Sequence, residues 1–510
     1  MIEPASSFFQ FFSFFERAII AYVAAINAIY FFLMVLGFFA LRRYRDGLIP
    51  EDREALLRSP LLPEITIVVP AHNEELSICE SVKALLNLNY PKHDVIVVND
   101  GSTDDTLRVL IDNFRLCRSA GHCDGALPSK PVRAIYRPRG PIRLTVVDKE
   151  KGGKADALNA GLGFARSPLV AAVDSDSLLE QDALMHVVEP FLQDPGNVLA
   201  CGGIIRVVNG CSVEHGKVTR ISTPRAVLPL LQTIEYLRAF LGGRVAFSFL
   251  NSLMLISGAF GIFNRKALIE AGGFLSTTVG EDMELVVRLH RRWRERKKNY
   301  RIVFVPEPVC WTEVPESWKV LHRQRNRWQR GTVESLAAHR HIILKARFGV
   351  LGLFAMPYFV LFEMFGPAVE LAGYVFTVAG LFLHLVPLEY AFLFFVVSIL
   401  FGILLSMSAV VLEEFTLRRY PSVADLLRLL AAAIVENFGY RQLLTVWRVQ
   451  GVWDALRGKR GWGAMERRGF QRRAADRTAK DRRRFQRRAA DRTTMERGGF
   501  QRRAADRTAK

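Results

Sequence analysis

Four short clusters of charged and polar residues follow one another along this chain of 510 residues, and each contains side chains that could do chemistry. They are Asn99-Asp100-Gly101-Ser102, Asp174-Ser175-Asp176, Gly280-Glu281-Asp282 and Gln324-Arg325-Asn326-Arg327-Trp328. Any one cluster alone is a weak signal, because short acidic strings are common in solvated turns, but the ordered set is far less expected by chance. The order therefore predicts one site to which all four clusters contribute.

Asp174 and Asp176 are the candidate metal ligands. Two carboxylates one residue apart at a strand end can hold a hard divalent cation, Mg²⁺ or Mn²⁺, which in turn neutralises a diphosphate. The preceding Lys151-Gly152-Gly153-Lys154 string offers backbone amides and ammonium groups ahead of a predicted helix, which suits further phosphate charge. A solvated basic loop explains this string equally well when it is taken alone.

Asp282 is the candidate general base. Glu281 and Asp282 precede apolar residues at helical spacing, so the pattern predicts a helix that begins near them. Acidic residues at a helix start also stabilise the helix dipole, and capping is the simplest explanation of the pair in isolation. Beside a metal-bound diphosphate, a carboxylate at a helix start is well placed to take a proton from an attacking hydroxyl.

The cluster from Gln324 to Trp328 lies in a predicted helix that mixes aromatic residues with several arginines. Such a helix can lie along a membrane surface with its basic side toward anionic headgroups. In a functional role, Arg327 would hold a phosphate and Trp328 would stack on a sugar ring. Both roles can occur on one helix.

Buried strands that alternate with helices should position these clusters. Strands are predicted over residues 65–69, 95–98, 144–147 and 169–173. This alternation is typical of an α/β fold with a largely parallel sheet covered by helices on both faces. Asp100 follows the second strand, and Asp174 and Asp176 follow the fourth, so the three should meet at the carboxyl edge of the sheet, where open sheets bind ligands.

An apolar stretch over residues 18–41, broken only by Asn27, predicts a membrane anchor. At about 1.5 Å per residue it can cross a hydrocarbon layer of about 30 Å. It is longer than the apolar core of a signal peptide and ends in Arg42, Arg43 and Arg45, so it should be retained. These arginines predict that residues 42–347 are cytoplasmic, which fits six cysteines without a Cys-x-x-Cys pair.

A second apolar block, residues 348–412, should contain two crossings with interfacial pieces, or three. Its Glu363 and Glu370 should face protein or a cavity, because exposure to lipid costs several kcal/mol. A helix predicted over residues 425–446 would lie in the interface or line a polar passage. Since the basic tail should stay cytoplasmic, three or five crossings are expected in total.

The C-terminal tail contains a repeat of fifteen residues that begins at Phe470, Phe485 and Phe500. Residues 466–510 include 17 basic and 6 acidic residues, a net charge of +11 out of +19 for the chain. With few apolar residues to bury, the tail should be disordered. A solvated duplication is the simpler interpretation, and attraction to anionic lipid or nucleic acid is the alternative.

Together with Pro70-Ala71-His72-Asn73-Glu74 and Thr278-Val279, the clusters resemble the membrane-bound processive glycosyltransferases of family 2, which include cellulose, chitin, hyaluronan and poly-N-acetylglucosamine synthases. The resemblance covers about residues 60 to 335. It implies a nucleotide-sugar-binding, GT-A-like domain inserted between N-terminal and C-terminal transmembrane helices. The implied domains are an anchor (1–47), a cytoplasmic glycosyltransferase domain (48–345), membrane helices (346–457) and a basic tail (458–510).

The resemblance also implies a role for each matching residue. Asp100 would lie near the uracil and ribose, Lys154 would contact the diphosphate, and Asp176 would be the direct metal ligand beside Asp174. Asp282 would deprotonate the acceptor in a single inverting displacement. The implied donor-binding residues are Glu74, Asp100, Lys154, Asp174, Gln324 and Arg327, and the implied acceptor-binding residues are Gly258, Phe260 and Trp328.

The expected function is therefore inverting, metal-dependent transfer from a UDP-sugar to a growing polysaccharide, coupled or not to export, by an enzyme of the plasma (inner) membrane. Expected partners are the nucleotide-sugar donor, the polysaccharide acceptor, membrane lipids, and accessory export or synthase subunits; nucleic acid is not expected. A non-processive transfer to lipid is an alternative, but it does not need the cluster from Gln324 to Trp328. A transporter or binding protein with a basic tail explains the helices but not Asp174, Asp176 and Asp282.

The kind of polysaccharide is only partly constrained by the sequence. No regulatory barrel domain follows the membrane block, as it does in some cellulose synthases, so cellulose is not favoured. Products that resemble poly-N-acetylglucosamine or hyaluronan both fit, because hexose and N-acetylhexosamine donors differ in groups that a motif does not reveal.

Overall fold

The structure, a computed structural model, describes residues 4–46 and 59–459 except 122, 126, 215 and 421. The basic repeats after residue 459, and the predictions made for them, lie outside the described residues.

One ten-stranded sheet forms the centre of the domain, in the order β3-β4-β5-β2-β1-β6-β11-β8-β12-β7, and β9 and β10 form a separate ribbon. The strands are β1 (Ile65–Ala71), β2 (His93–Asp100), β3 (Leu116–Arg118), β4 (Val132–Pro138), β5 (Leu144–Lys149), β6 (Leu169–Val173), β7 (Ser177–Leu179), β8 (Val198–Val207), β9 (Ser212–Glu214), β10 (Lys217–Arg220), β11 (Phe260–Asn264) and β12 (Arg301–Thr312). All four predicted strands are confirmed, as β1, β2, β5 and β6.

The strands β5, β2, β1 and β6 are mutually parallel, as are β8 and β12, while β11 runs antiparallel between β6 and β8. Every residue of β6 and β8 is buried. Because successive side chains of a strand point to opposite faces, both faces of the sheet must be covered at these strands. The predicted α/β fold with a mostly parallel sheet between layers of helices is confirmed.

Most of the described helices pack on this sheet or on one another. They are α1 (Pro4–Asp46), α2 (Ile78–Leu86), α3 (Thr106–Phe114), α4 (Lys154–Phe164), α5 (Ala183–Gln193), α6 (Val227–Leu237), α7 (Val245–Phe249), α8 (Arg265–Ala271), α9 (Glu281–Glu295), α10 (Trp318–Ala338), α11 (Met356–Tyr358), α12 (Gly366–Phe382), α13 (Leu388–Phe395), α14 (Phe401–Thr416), α15 (Val423–Val435) and α16 (Tyr440–Leu456). A π-helical turn, Arg238–Arg244, joins α6 to α7.

Three of the described helices are long and apolar enough to cross a membrane: Phe14–Asp46, Leu351–Phe382 and Leu388–Thr416. Three is the smaller of the two totals expected. Within the second of them, Glu363 forms an ion pair of 2.8 Å with Arg448, and Glu370 accepts a hydrogen bond of 3.2 Å from Thr445. Both glutamates face protein, as predicted.

The single helix predicted over residues 425–446 is wrong, because the structure has two helices, α15 and α16, in this part of the chain. Gly439 separates them with a φ of 88°, a left-handed conformation that ends helical geometry and that glycine adopts without strain. Just before the break, the buried Glu436 accepts hydrogen bonds from Arg238 and Ser406. The break therefore turns a carboxylate toward the rest of the protein.

Candidate functional site

The candidate site lies at the carboxyl edge of the parallel strands, where the first two clusters end up. Asp100 is the last residue of β2, and Asp174 directly follows β6. Between them in sequence, α4 begins at Lys154 and packs on β1 and β2. The parallel pairing of β2, β1 and β6 brings these positions to one edge.

Lys154 joins three separate parts of the chain. Its Nζ lies 2.5 Å from Asp174 Oδ1 and 3.5 Å from Glu281 Oε1, and it donates a hydrogen bond of 3.1 Å to the carbonyl of Gly258. Burial alone would lower the pKa of Lys154, but the charges of Asp174 and Glu281 hold that pKa above its usual range. The second and third clusters therefore meet through one ammonium group.

Asp282 is held from two sides at the start of α9. The N–H of Gly258 donates to its Oδ2 at 3.1 Å, and the N–H of Met283 donates to its Oδ1 at 2.8 Å. A β-carbon at Gly258 would lie 3.0 Å from Lys154 Nζ and 3.2 Å from Asp282 Oδ2, closer than ordinary contact. Only glycine leaves room at position 258 for Asp282 to reach its N–H and for Lys154 to reach its carbonyl oxygen.

Asp176 lies beside Glu313, because the antiparallel register of β7 and β12 places Ser177 opposite Thr312. Burial raises the pKa of Asp176 to about 7, and the charge of Asp174 adds to the effect. The carboxyl group of Asp176 is thus costly to ionise until a positive charge is added nearby.

Asp174 and Asp176 fit a divalent cation. Their oxygens are the hard ligands that Mg²⁺ and Mn²⁺ prefer, and a cation beside Asp176 would offset the burial and the charge of Asp174 that raise the pKa of its carboxyl group. Among the described residues, no group of three or more His, Cys, Asp or Glu side chains gathers to hold a metal. Two protein carboxylates are nevertheless enough for Mg²⁺, which commonly takes its other ligands from substrate phosphates and water.

Asp100 organises the loop that leads into α4. Its carboxylate accepts hydrogen bonds from Lys149 Nζ at 2.7 Å and from the N–H groups of Gly152 and Gly153 at 2.8 and 2.7 Å. Lys149 is fully buried and also lies 2.5 Å from Asp156. These contacts hold the loop in place, and the predicted contact of Asp100 with a nucleotide stays a prediction.

Glu74 is buried after β1, and its Oε2 accepts a hydrogen bond of 2.8 Å from Ser77. Its backbone N–H donates to Thr106 Oγ1 at 2.8 Å. The segment after β1 is thereby fixed to the start of α3, and donor binding by Glu74 stays a prediction.

The third cluster packs directly against α10, the helix that carries the fourth cluster. A β-carbon at Gly280 would lie 2.8 Å from Gly331 Cα, so the start of α9 and the middle of α10 touch backbone to backbone. Glu334 of α10 accepts hydrogen bonds from Thr278 Oγ1 and Val279 N–H at 2.8 and 2.9 Å. The helix with Gln324, Arg327 and Trp328 is thus fixed beside Asp282.

The motif residues on α10 differ in exposure. Trp328 is 42% exposed and stacks on Arg325, whose Cζ lies 4.2 Å from the ring centroid. Gln324 is buried, and its Oε1 accepts a hydrogen bond of 3.1 Å from Arg325. Trp328 therefore stays partly open to solvent while Gln324 does not, and acceptor binding by Trp328 stays a prediction.

The expectation that Phe260 contacts an acceptor is wrong. Its side chain is 0% exposed and belongs to the hydrophobic core. Phe260 lies opposite Val173 in the pairing of β11 with β6, next to the N–H of Asp174, which donates to the carbonyl of Ala259 at 3.2 Å. Phe260 therefore supports the strand that carries Asp174 and does not line the site.

Sequence reasoning missed Arg244 at the end of the π-helical turn. Its guanidinium stacks 3.9 Å from the ring centroid of Phe240. Burial lowers the pKa of Arg244 to about 10, and the negative charge of Asp282 opposes this shift. Arg244 is one of two arginines, with Arg238, in the apolar stretch from Val227 to Phe249, and this was the signal that could have identified it.

Two family models match the chain: "Glycosyl transferase family group 2" over residues 169–407 and "Glycosyl transferase family 2" over residues 66–120. The chain is similar to the poly-beta-1,6-N-acetyl-D-glucosamine synthase of Staphylococcus aureus (strain COL), with 27% identity over 331 residues, 64% of this chain and 66% of that protein. The corresponding Staphylococcus epidermidis synthase is 26% identical over 292 residues, 56% of this chain and 59% of that protein. The match thus spans just under two thirds of the length of these relatives.

Solved structures with a related arrangement include the mannosyltransferase PcManGT from Pyrobaculum calidifontis in complex with GDP-Man and Mn²⁺. It is 20% identical with a TM-score of 0.48, over 86% of this chain and 99% of that one. S. aureus TarS 1–349 in complex with UDP-GlcNAc is 16% identical with a TM-score of 0.36, over 74% of this chain and 92% of that one.

Proposed function

Because the chain belongs to the family 2 glycosyltransferases, we propose that it extends a polysaccharide processively from a UDP-activated N-acetylglucosamine donor. The observation that carries the proposal is that Lys154 and Asp282 both bind the backbone of Gly258 while Lys154 also pairs with Asp174. This arrangement places the ammonium group of Lys154 beside the carboxylate of Asp174, and it places the separate carboxylate of Asp282 nearby. The similarity to poly-beta-1,6-N-acetyl-D-glucosamine synthases supports the choice of sugar.

The donor end of the site would bind the diphosphate. Lys154 and Arg327 would supply positive charge to its oxygens, and Asp174 and Asp176 would hold Mg²⁺ or Mn²⁺. When bound, the divalent ion neutralises charge that develops on the leaving diphosphate, usually a large part of such a barrier. The loop organised by Asp100 would present its remaining polar groups to the nucleotide.

Asp282 would act as the general base toward the acceptor. Its carboxylate accepts the proton of the acceptor hydroxyl while that oxygen bonds to the anomeric carbon of the donor. The bond from this carbon to the diphosphate oxygen breaks, and the diphosphate leaves with the electron pair. Attack from the side opposite the leaving group inverts the configuration, and a positioned base contributes about 10²- to 10⁴-fold to the rate.

The surroundings of the site support a membrane enzyme that builds a chain. The exposed face of Trp328 would stack on the terminal sugar. The helix that contains Trp328, α10, packs against α16, which follows the last candidate membrane span in the sequence. The arginines in the last turns of α1, Arg42, Arg43 and Arg45, favour a cytoplasmic catalytic domain. Export of the product through the membrane helices would follow from this arrangement.

The test uses the purified full chain in detergent with labelled UDP-N-acetylglucosamine and Mn²⁺ or Mg²⁺. We expect polymeric product on a gel with UDP-N-acetylglucosamine and little with UDP-glucose or UDP-glucuronate. Products that carry a single added sugar would instead favour the non-processive alternative, and no metal-dependent transfer from any of the three donors would contradict the proposal.

The variant Asp282→Asn tests the base within the same assay. We expect transfer to fall at least about 100-fold because no carboxylate can accept the proton, while the Kd for UDP-sugar stays within about threefold. A loss of donor binding equal to the loss of transfer would show that Asp282 is not the base.

A further inference from the structure

We propose that Arg325 is a positioning residue for the acceptor, which orients Trp328 and Gln324 and is itself oriented by Glu235 and Tyr440. The inference rests on the proposed function, because it concerns the acceptor side of the same site. The resemblance assigned roles to Gln324, Arg327 and Trp328, and none to Arg325.

Arg325 contacts both of the motif residues that flank it on one face of α10. Its Nη1 donates to Gln324 Oε1 at 3.1 Å, and its Cζ lies 4.2 Å from the ring centroid of Trp328. Residues three apart on a helix are neighbours, so Arg325 and Trp328 can stack without distortion. The planar guanidinium covers one face of the indole and leaves the other to a sugar.

Two other parts of the chain hold the guanidinium. Its Nη2 lies 2.7 Å from Glu235 Oε2, and the hydroxyl of Tyr440 donates to the same oxygen at 3.0 Å. Glu235 lies near the end of α6, and Tyr440 is the first residue of α16. Since the Arg325 side chain is only 3% exposed, its position depends on these partners more than on solvent.

Among the donor-binding residues that the resemblance implies, Gln324 contacts Arg325 directly. Lys154 and Asp174 instead pair with each other, and Lys154 also contacts α9 and the Gly258 loop. Disturbing Arg325 should therefore weaken the acceptor side, through Trp328, more than the donor side. A merely structural role would affect the donor and acceptor sides together.

The experiment compares Arg325→Lys, Glu235→Gln and Tyr440→Phe with the wild-type full chain. Lysine keeps the charge but loses the planar stacking surface. The rate of UDP release from UDP-N-acetylglucosamine is measured while either the donor or a short N-acetylglucosamine oligomer is varied. The matched control is Arg206→Lys, a buried arginine paired with Glu413 at 2.6 Å that contacts neither Trp328 nor Gln324.

For Arg325→Lys we expect the acceptor KM to rise about 3- to 30-fold, the range of a desolvated cation–π contact, with shorter products and a donor KM within about twofold. Glu235→Gln and Tyr440→Phe should shift the acceptor KM in the same direction by less. Arg206→Lys should lower Tm, and any change in the donor KM should be matched by an equal change in the acceptor KM.

An unchanged acceptor KM in Arg325→Lys, or equal rises of both KM values with a loss of Tm like that of the control, would overturn the inference. A wild-type chain that neither releases UDP nor extends the oligomer would instead contradict the proposed function, so the two failures are distinguishable.

Discussion

Replacing Gly258 by alanine tests whether Lys154 and Asp282 must both reach the backbone of this one residue. The added methyl carbon would lie 3.0 Å from Lys154 Nζ and 3.2 Å from Asp282 Oδ2. Carbon in ordinary contact stays at least 3.4 Å away, so each group must retreat by a few tenths of an ångström. The retreat lengthens the 3.1 Å hydrogen bonds that Gly258 makes with Lys154 and with Asp282.

The expected effect is on catalysis and not on folding. Each of these hydrogen bonds involves a charged group, and such bonds contribute about 1.5–3 kcal/mol. Weakening one of them substantially corresponds to a fall in kcat of about 10- to 100-fold. The fall is measured as initial UDP release with saturating UDP-N-acetylglucosamine, and Tm is measured in parallel and should change little, because the displaced groups are the ends of side chains.

Gly140→Ala is the matched control, since the same methyl group there meets nothing within 4 Å and Gly140 lies between β4 and β5, away from the carboxyl edge. This variant should keep wild-type activity. Wild-type kcat in Gly258→Ala, with both variants folded, would refute the reasoning that position 258 must lack a side chain.

Three further predictions concern the metal, the helix contact and a buried histidine. Removing divalent ions with a chelator should abolish transfer, and added Mn²⁺ or Mg²⁺ should restore it; full activity in chelator would contradict a metal role for Asp174 and Asp176. Gly331→Ala places a β-carbon 2.8 Å from the Cα of Gly280. It should lower the free energy of unfolding by about 1–3 kcal/mol and also lower kcat, which unfolding curves and the rate of UDP release would measure. Burial lowers the pKa of His290 to about 3 from an ordinary 6.5, so below pH 6.5 the unfolded state binds a proton that the folded state does not. Stability should therefore fall by about 2 kcal/mol between pH 7.5 and pH 5, and His290→Gln should remove that part of the slope in urea unfolding; an identical slope in the variant would contradict the assignment.

The fold class could be predicted because its signals are local. Short apolar runs bounded by polar residues identified β1, β2, β5 and β6, and a long apolar stretch identified the N-terminal span. The strands β8, β11 and β12 were not predicted, although β8 is buried along its whole length. A fully buried strand lacks the alternation of apolar and polar residues by which a half-exposed strand is recognised in a sequence. The pairing of β8 with β12 also joins residues that are distant in the sequence.

The break between α15 and α16 shows the same limit. Gly439, with its positive φ, separates the two helices, and the buried Glu436 lies just before it. The partners of Glu436, Arg238 and Ser406, lie far away in the sequence. A local pattern contains no information on such partners.

By itself the sequence determined which residues could do chemistry here and in what order, because a carboxylate after a strand or at a helix start is a local feature. Only the tertiary structure decided how they meet: that Lys154 bridges Asp174 and Gly258, that Phe260 is buried, and that Arg325 is held by Glu235. The physical reason is that an ion pair or a packed ring depends on side chains from separate elements. Their distances are set by how the sheet and helices pack, which no short stretch of sequence specifies.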